Sequence, residues 1–129
     1  MPDRDSVEMG PRGAAGADEE FLFHLYRGSD LLVSGDVESA KEALERAIAR
    51  QPEDPKGQDL LAGVYFRLGV YPRAIEIWSR LVRRHGDDAT LRVNLALALL
   101  KTGQPGQALV AIRRRASQSL DPTYRTAKT

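Results

Sequence analysis

Two histidines, His24 and His85, are the residues of this chain best suited to acid–base catalysis or metal binding. Either role needs partners, because a metal site gathers several ligands and a general base is oriented by a second group. The chain has no cysteine, and neither histidine has a convergent set of partners around it. We therefore predict no metal site. We interpret His24 as a packing residue between helices and His85 as a cation near the negative end of a helix dipole.

The serines and glycines do not indicate nucleophilic or phosphate chemistry. No serine lies in a Gly-x-Ser-x-Gly turn, which holds the nucleophile of many hydrolases. No glycine-rich loop of the phosphate-binding kind is present. The glycines are explained as helix stops and as points of close packing. We predict no catalytic residue, no cofactor and no enzyme activity.

Arginines at regular spacing are the candidates for an electrostatic binding surface. Arg46, Arg80 and Arg114 are spaced 34 residues apart, and with Arg84 we name them the basic ridge. Such a ridge is typical of proteins that bind nucleic acid or an acidic partner. The other interpretation is local pairing, since a glutamate precedes both Arg46 and Arg80 by four residues. No aromatic residues interleave with the ridge to stack bases, so we favour a solvated face and do not expect nucleic acid as the partner.

The spacing of the arginines belongs to a repeat that runs through most of the chain. Small residues, large apolar residues, glycine and alanine all recur with a period of 34 residues. Chance does not account for five aligned columns, so we infer three copies of one structural unit. The columns are Gly28, Ala62 and Ala96; Leu31, Tyr65 and Leu99; Gly35, Gly69 and Gly103; Ala40, Ala74 and Ala108; and Leu44, Trp78 and Ile112.

The central copy, residues 61–78, indicates what this unit is. A helix is predicted to end near Leu68, followed by Gly69, because a residue with positive φ commonly follows a helix end. Pro72 fits the first turn of the next helix, where its missing N–H costs no hydrogen bond. The unit is therefore a helical hairpin. One hairpin cannot bury its own apolar face, so its neighbours are expected to pack against it.

The period and the order of the columns resemble the tetratricopeptide repeat, a helix–turn–helix unit of 34 residues. The resemblance covers residues 17–118, which is most of the chain. It implies an all-α fold, an α–α superhelix of three antiparallel helix hairpins with a right-handed twist. It also implies a non-catalytic protein-interaction module, although the same fold serves many different partners.

The composition predicts three segments. The N-terminal residues are rich in glycine, proline and charge, and such a segment is expected to be a disordered tail. The C-terminal residues form a tail or the start of a truncated fourth repeat. The segments are the tail 1–16, the repeat domain 17–118 with repeats at about 21–54, 55–88 and 89–118, and the C-terminal segment 119–129.

Aspartates mark the predicted helix starts, because their side chains accept hydrogen bonds from the first free N–H groups of a helix. The first helix should begin near Asp18. The second should be capped by Asp36, the third by Asp54 before Pro55, and the fifth by Asp87 or Asp88.

By the same resemblance, the first helix of each hairpin contributes one face to a concave groove that binds a peptide. In this chain that face is largely apolar, so we predict an apolar or amphipathic ligand. Asn94 would offer an amide to the peptide, and Gly63 would leave a depression for a ligand side chain. The alternative is that some of these residues pack against a terminal segment of the same chain. The groove residues are Leu22, Leu25, Tyr26, Ser29, Leu60, Gly63, Phe66, Arg67, Val93, Asn94, Leu97 and Lys101.

Three functions follow from these features. We favour a scaffold or adaptor that holds a protein or peptide partner. The alternative is a secretion-type chaperone, because small three-repeat members of the family shield apolar segments of exported proteins. The second alternative is binding of nucleic acid or an acidic partner through the basic ridge. Some members bind chaperone C-termini through a basic and asparagine clamp, but only Asn94 matches it here, so a co-chaperone role is not expected.

Composition and charge bear on location and assembly. The chain has no cysteine, no 18-residue apolar run and no apolar secretion signal, so a cytoplasmic protein is expected. Residues 1–69 hold 8 Lys or Arg and 14 Asp or Glu, whereas residues 70–129 hold 11 and 4. This asymmetry favours an acidic partner or head-to-tail association of copies. Leu109, Val110 and Ile112 should lack a neighbour in the last hairpin, which also favours a homo-oligomer through the repeat ends.

Overall fold

A computed structural model describes the backbone of residues 9–119 and the side chains of residues 18–113. Within that part of the chain all regular structure is helical, which confirms the predicted all-α fold. Helices α1 and α2 pack together, as do α4 with α5 and α5 with α6. The helices are α1 (Met9–Ser34), α2 (Val37–Arg50), α3 (Pro55–Arg67), α4 (Tyr71–Arg84), α5 (Ala89–Lys101) and α6 (Pro105–Ser119).

The chain divides into two compact units, and the division lies within α3. The N-terminal unit is Met1–Leu60 and the C-terminal unit is Leu61–Thr129. Each unit buries its own set of apolar side chains. The N-terminal unit buries Phe21, Leu25, Leu32, Ala40, Ala43, Leu44 and Ala47, and the C-terminal unit buries Val64, Tyr65, Ala74, Ile77, Trp78, Leu81, Leu91, Leu95, Leu99 and Ala108, among others.

The three hairpin turns share one geometry. Gly35, Gly69 and Gly103 have φ values of 92°, 80° and 74°, in the left-handed region that L-residues avoid. In each turn the glycine N–H donates to the carbonyl three residues earlier, and the next N–H donates to the carbonyl five residues earlier, at 2.8–2.9 Å. This pair of bonds is the Schellman motif. The positive φ predicted for Gly69 is therefore confirmed, and the same motif occurs at all three glycines.

The predicted aspartate caps are confirmed. The side chain of Asp36 accepts from the Ser39 N–H at 3.2 Å, and that of Asp54 accepts from the Gly57 N–H at 2.9 Å. Asp88, rather than Asp87, caps α5 and accepts from two backbone N–H groups. Helix α4 begins without a side-chain cap, and its first turn contains Pro72. Side-chain caps and proline thus define where these helices start.

Helix α1 begins earlier than predicted, at Met9 instead of near Asp18. Proline is tolerated in a first helical turn, where Pro11 lies, and several alanines follow it and favour helix. The predicted disordered tail is thus helical from Met9 onward, and residues 1–8 lie outside the described residues. Asp18 and Glu20 contact the end of α2 instead of capping α1: Glu20 pairs with Arg50, and Asp18 accepts from Gln51 at 3.0 Å.

Small residues allow the two helices of the first hairpin to approach closely. Ala40, like its counterparts Ala74 and Ala108, is buried. At Gly28 a side-chain Cβ would lie 2.5 Å from the Cγ of Leu44 and 2.6 Å from its Cδ2. Such distances are too short for carbon atoms, so α1 can pack against α2 in this way only with glycine at position 28.

The contact between Gly28 and Leu44 predicts a specific double-mutant cycle. Gly28→Ala should lower the free energy of unfolding, because overpacking a core costs about 1–3 kcal/mol and the helix-propensity gain of about 0.5–1 kcal/mol offsets only part of it. Leu44→Ala alone should cost about 2–5 kcal/mol. In the double variant the new methyl group occupies space that Leu44 vacated, so urea unfolding should give less than the sum of the two losses. Strictly additive losses would show that the two residues do not meet as described.

Candidate functional site

Helix α5 carries apolar residues on both of its sides. One side is buried and holds Leu91, Leu95 and Leu99. The other side carries Val93, Leu97 and Leu100, which lie at helical spacing on one face, and the first two are each 47% exposed. We name these three residues the α5 stripe. A helix that is hydrophobic all round is usually buried all round, so the α5 stripe is apolar surface without cover among the described residues.

Polar groups border the α5 stripe. Asn94 is half-buried, and its side-chain amide makes no hydrogen bond within the described part of the chain. Lys101 is exposed at the end of the same helix. An amide offers both a donor and an acceptor, and an ammonium group offers three donors. The predicted groove residues Val93, Asn94, Leu97 and Lys101 therefore lie on one face of α5.

The end of α3 supplies the other predicted groove residues of the C-terminal unit. Gly63 is half-buried, and a Cβ placed on it would meet nothing within 4 Å, so the helix surface there is open. Arg67 is exposed. Phe66 is half-buried in an aromatic cluster, with its ring centroid 5.3 Å from Tyr71 and 5.9 Å from Trp78. Phe66 therefore contributes to internal packing, which the sequence pattern did not reveal.

The predicted groove residues of the N-terminal unit differ in exposure. Leu22 and Tyr26 are exposed, and Ser29 and Leu60 are half-buried. Leu25 is corrected to a core position, since it is only 5% exposed. The reason is packing against α2 and α3. A Cβ on Gly57 would lie 3.4 Å from Ile48 Cδ1 and 3.8 Å from Leu25 Cδ1, so those side chains meet over the glycine. A groove that joins the first helices of all three repeats stays a prediction.

The basic ridge is solvent-facing where the structure describes it. Arg46, Arg80 and Arg84 are exposed, and the side chain of Arg114 lies outside the described residues. Glu76 pairs with Arg80 at 3.6 Å, as the spacing predicted. The predicted pair between Glu42 and Arg46 is not formed among the described residues. Surface pairs of this kind contribute little to stability, and binding of nucleic acid to the ridge stays an untested alternative.

An exposed aromatic and apolar surface on α1 was missed. Phe23, Tyr26 and Val33 lie on one face of the helix, and Val33 is 85% exposed. These side chains and Asp30 line an open depression of about 970 Å³. Their spacing on the face away from Phe21, Leu25 and Leu32 is the sequence signal for this surface. Tyr26 is among the predicted groove residues, whereas Phe23 and Asp30 are not. The described residues also enclose a smaller pocket of about 240 Å³ between α4, α5 and α6.

His85 lies at the end of α4, as predicted, and the ring contact of His24 is with a neighbour on its own helix. His85 follows the last residue of α4, and its backbone N–H donates to the carbonyl of Leu81 at 2.7 Å. His24 is half-buried and makes an edge contact with Phe23, at 5.3 Å between ring centroids. No group of three or more potential metal ligands occurs among the side chains that the structure describes. The described helices include none long and apolar enough to cross a membrane.

Comparison with known proteins identifies the repeat. A family model described as tetratricopeptide repeat matches residues 25–78 and, in a second match, residues 60–122. The two matches overlap and cover more than half of the chain. A curated relative is the cellulose synthase operon protein C of Pseudomonas fluorescens (strain SBW25), which is 28% identical over 88 residues. That alignment covers 68% of this chain and 7% of the relative.

Solved structures show the same fold. MamA AMB-1 superposes with a TM-score of 0.65 at 22% identity, covering 73% of this chain and 51% of that chain. A second crystal structure of MamA gives a TM-score of 0.67 at 20% identity, covering 88% and 61%. The chain thus spans less than two thirds of each relative. Repeats of this kind are interaction modules that are typically non-catalytic, and from the matched family model the chain belongs to the tetratricopeptide repeat family, as a protein–protein interaction scaffold.

Proposed function

We propose that this chain is an adaptor that binds an apolar or amphipathic peptide on the outward face of α5. One observation carries the proposal: α5 has apolar residues on its exposed side as well as on its buried side, where Arg92 is the charged exception. The buried side is explained by the core of the C-terminal unit. The α5 stripe has no such explanation, and contiguous exposed apolar surface usually marks a binding site.

The energetics favour a peptide that covers the α5 stripe. Fully burying a Val or Leu side chain contributes about 1.5–3 kcal/mol relative to full exposure. Val93 and Leu97 are each 47% exposed, so a ligand that covered them would gain roughly half of that amount per residue. A few such side chains, less the cost of ordering the peptide, support a modest and reversible affinity.

Groups on α5 and at the end of α3 define the preferred ligand. The open surface above Gly63 offers room for a ligand side chain, and the proposed peptide extends from the α5 stripe to this part of α3. Asn94 would bond to a peptide backbone or to a polar side chain. Arg67 and Lys101 are both exposed and basic. We therefore expect an amphipathic peptide whose apolar side faces the α5 stripe and whose border carries acidic residues.

A secretion-type chaperone would use the same surface for a different purpose. An adaptor should select peptides of defined sequence, whereas a chaperone that shields apolar segments should accept many apolar sequences of similar affinity. Selection of peptides from a random library against the full chain separates the two. A common pattern of spaced apolar residues with acidic flanks supports the adaptor. Enrichment of apolar content alone supports the chaperone.

The two sides of α5 should differ sharply in their effect on stability. Leu95→Ala removes buried contacts and should lower the free energy of unfolding by about 2–5 kcal/mol. Leu97→Ala, two residues away on the exposed side, should cost less than about 1 kcal/mol. Urea unfolding followed by circular dichroism measures both. Comparable losses would mean that the α5 stripe is internal packing surface and not a binding face.

Peptide binding should respond to substitutions on the α5 stripe. Val93→Asp should lower the affinity for the selected peptide about tenfold or more, because it places an unpaired charge against the apolar surface of the ligand. Asn94→Ala should lower the affinity less, and Gly63→Leu should prevent binding by filling the open surface. Calorimetric titration gives the affinities, and helix content should stay unchanged in all three variants.

The matched control is Val110→Asp, which makes the same change at an exposed valine of α6. It should leave the affinity for the peptide unchanged. A peptide that binds all of these variants as tightly as it binds the parent would place the binding site elsewhere. Phe66→Ala is a poor reporter, because Phe66 also packs against Tyr71 and Trp78.

A further inference from the structure

Two exposed apolar surfaces lie outside the proposed peptide site, one in each unit. The first is on α1, where Phe23, Tyr26 and Val33 share one face with Asp30 and line the open depression of about 970 Å³. We name these four residues the α1 face; Arg27 lies at its edge and lines the same depression. The buried residues of α1 lie on a different side of the helix, so the core does not use the α1 face.

The second surface is on α6. Leu109 and Ile112 are three residues apart, lie on one helical face and are both exposed, as the sequence predicted. The neighbouring Arg113 is also exposed. We name these three residues the α6 face. Ile112 belongs to the same column as Leu44 and Trp78, which are both buried in the earlier repeats. Because Ile112 is exposed at a position that is buried in the earlier repeats, a further helix could pack against it.

We infer that copies of this chain associate with each other, the α1 face of one copy binding the α6 face of the next. Each surface alone could take another partner, but charge complementarity points to a second copy. The N-terminal unit, residues 1–60, contains 7 Lys or Arg and 14 Asp or Glu. The C-terminal unit, residues 61–129, contains 12 Lys or Arg and 4 Asp or Glu.

One pair of charges, Asp30 of the α1 face and Arg113 of the α6 face, has opposite signs, and Arg27 lies only at the edge of the α1 face. Asp30 lies among the apolar residues of the α1 face, and Arg113 adjoins the apolar pair of the α6 face. An aspartate and an arginine bordering an apolar contact can form a charge-assisted hydrogen bond there. The contact joins two different surfaces, so it is heterologous, and an open assembly keeps one free α1 face at one end and one free α6 face at the other until it closes.

Charge reversal with mixing tests this pairing directly on the full chain. Asp30→Arg alone should weaken association about tenfold or more, because two arginines then face each other across the contact. Arg113→Asp alone should weaken it to a similar extent, because two aspartates then face each other. An equimolar mixture of the two variants should associate again, since every contact between unlike copies has opposite charges. Sedimentation velocity at low and high salt measures all three samples.

Matched controls are Glu42→Arg and Arg46→Asp, which make the same charge changes at exposed positions of α2. Both should associate as the parent does. Val33→Ser should weaken association without changing the unfolding curve, because the side chain is 85% exposed. A parent chain that stays monomeric at high concentration and low salt overturns the inference. So does association that survives both charge reversals, or that mixing fails to restore, because either result places the contact elsewhere.

Discussion

The three left-handed glycines are the constraint on which the rest of the structure depends. Two or three residues connect the helices of each hairpin, and the Schellman bonds that close the turn need a residue with positive φ. At Gly35, Gly69 and Gly103 a Cβ would meet nothing within 4 Å, so size does not require glycine there. Glycine is required at these positions only because their φ angles are positive. The turn fixes the orientation of each helix pair, and with it the side of each helix that is buried.

That orientation determines which side of α5 faces outward, and the proposed peptide-binding surface lies on that side. In α5 the buried side satisfies the core, and the remaining side still carries Val93, Leu97 and Leu100. A stable soluble helix has no need of apolar residues on its outward side, so selection for binding is the simplest reason for them. Helices α1 and α6 also carry exposed apolar residues, such as Phe23 and Val33 on α1 and Leu109 on α6. The chain therefore combines an ordinary repeat core with exposed surfaces that are suited to protein partners, in agreement with its family.

The sequence predicted the repeat well because glycine, alanine and capping aspartate act locally. The turn glycines, the caps at Asp36, Asp54 and Asp88 and the buried alanine column were all readable from spacing. Burial on a given face was less readable, because it depends on contacts between distant residues. Leu25 is predicted from its spacing to line the groove, but it is buried beside Gly57. Arg92 is only 2% exposed, and a charged residue on an apolar helix gives no sequence sign of such burial.

The most direct test of this account compares alanine at two glycines of the C-terminal unit. Both Gly63 and Gly69 have open space around a Cβ, and only Gly69 has positive φ. Gly69→Ala should lower the free energy of unfolding by about 1–2 kcal/mol, whereas Gly63→Ala should leave it unchanged or raise it by about 0.5–1 kcal/mol. Urea unfolding of the two variants measures the difference. Equal effects would contradict the claim that backbone conformation at the turn glycines organises the repeats.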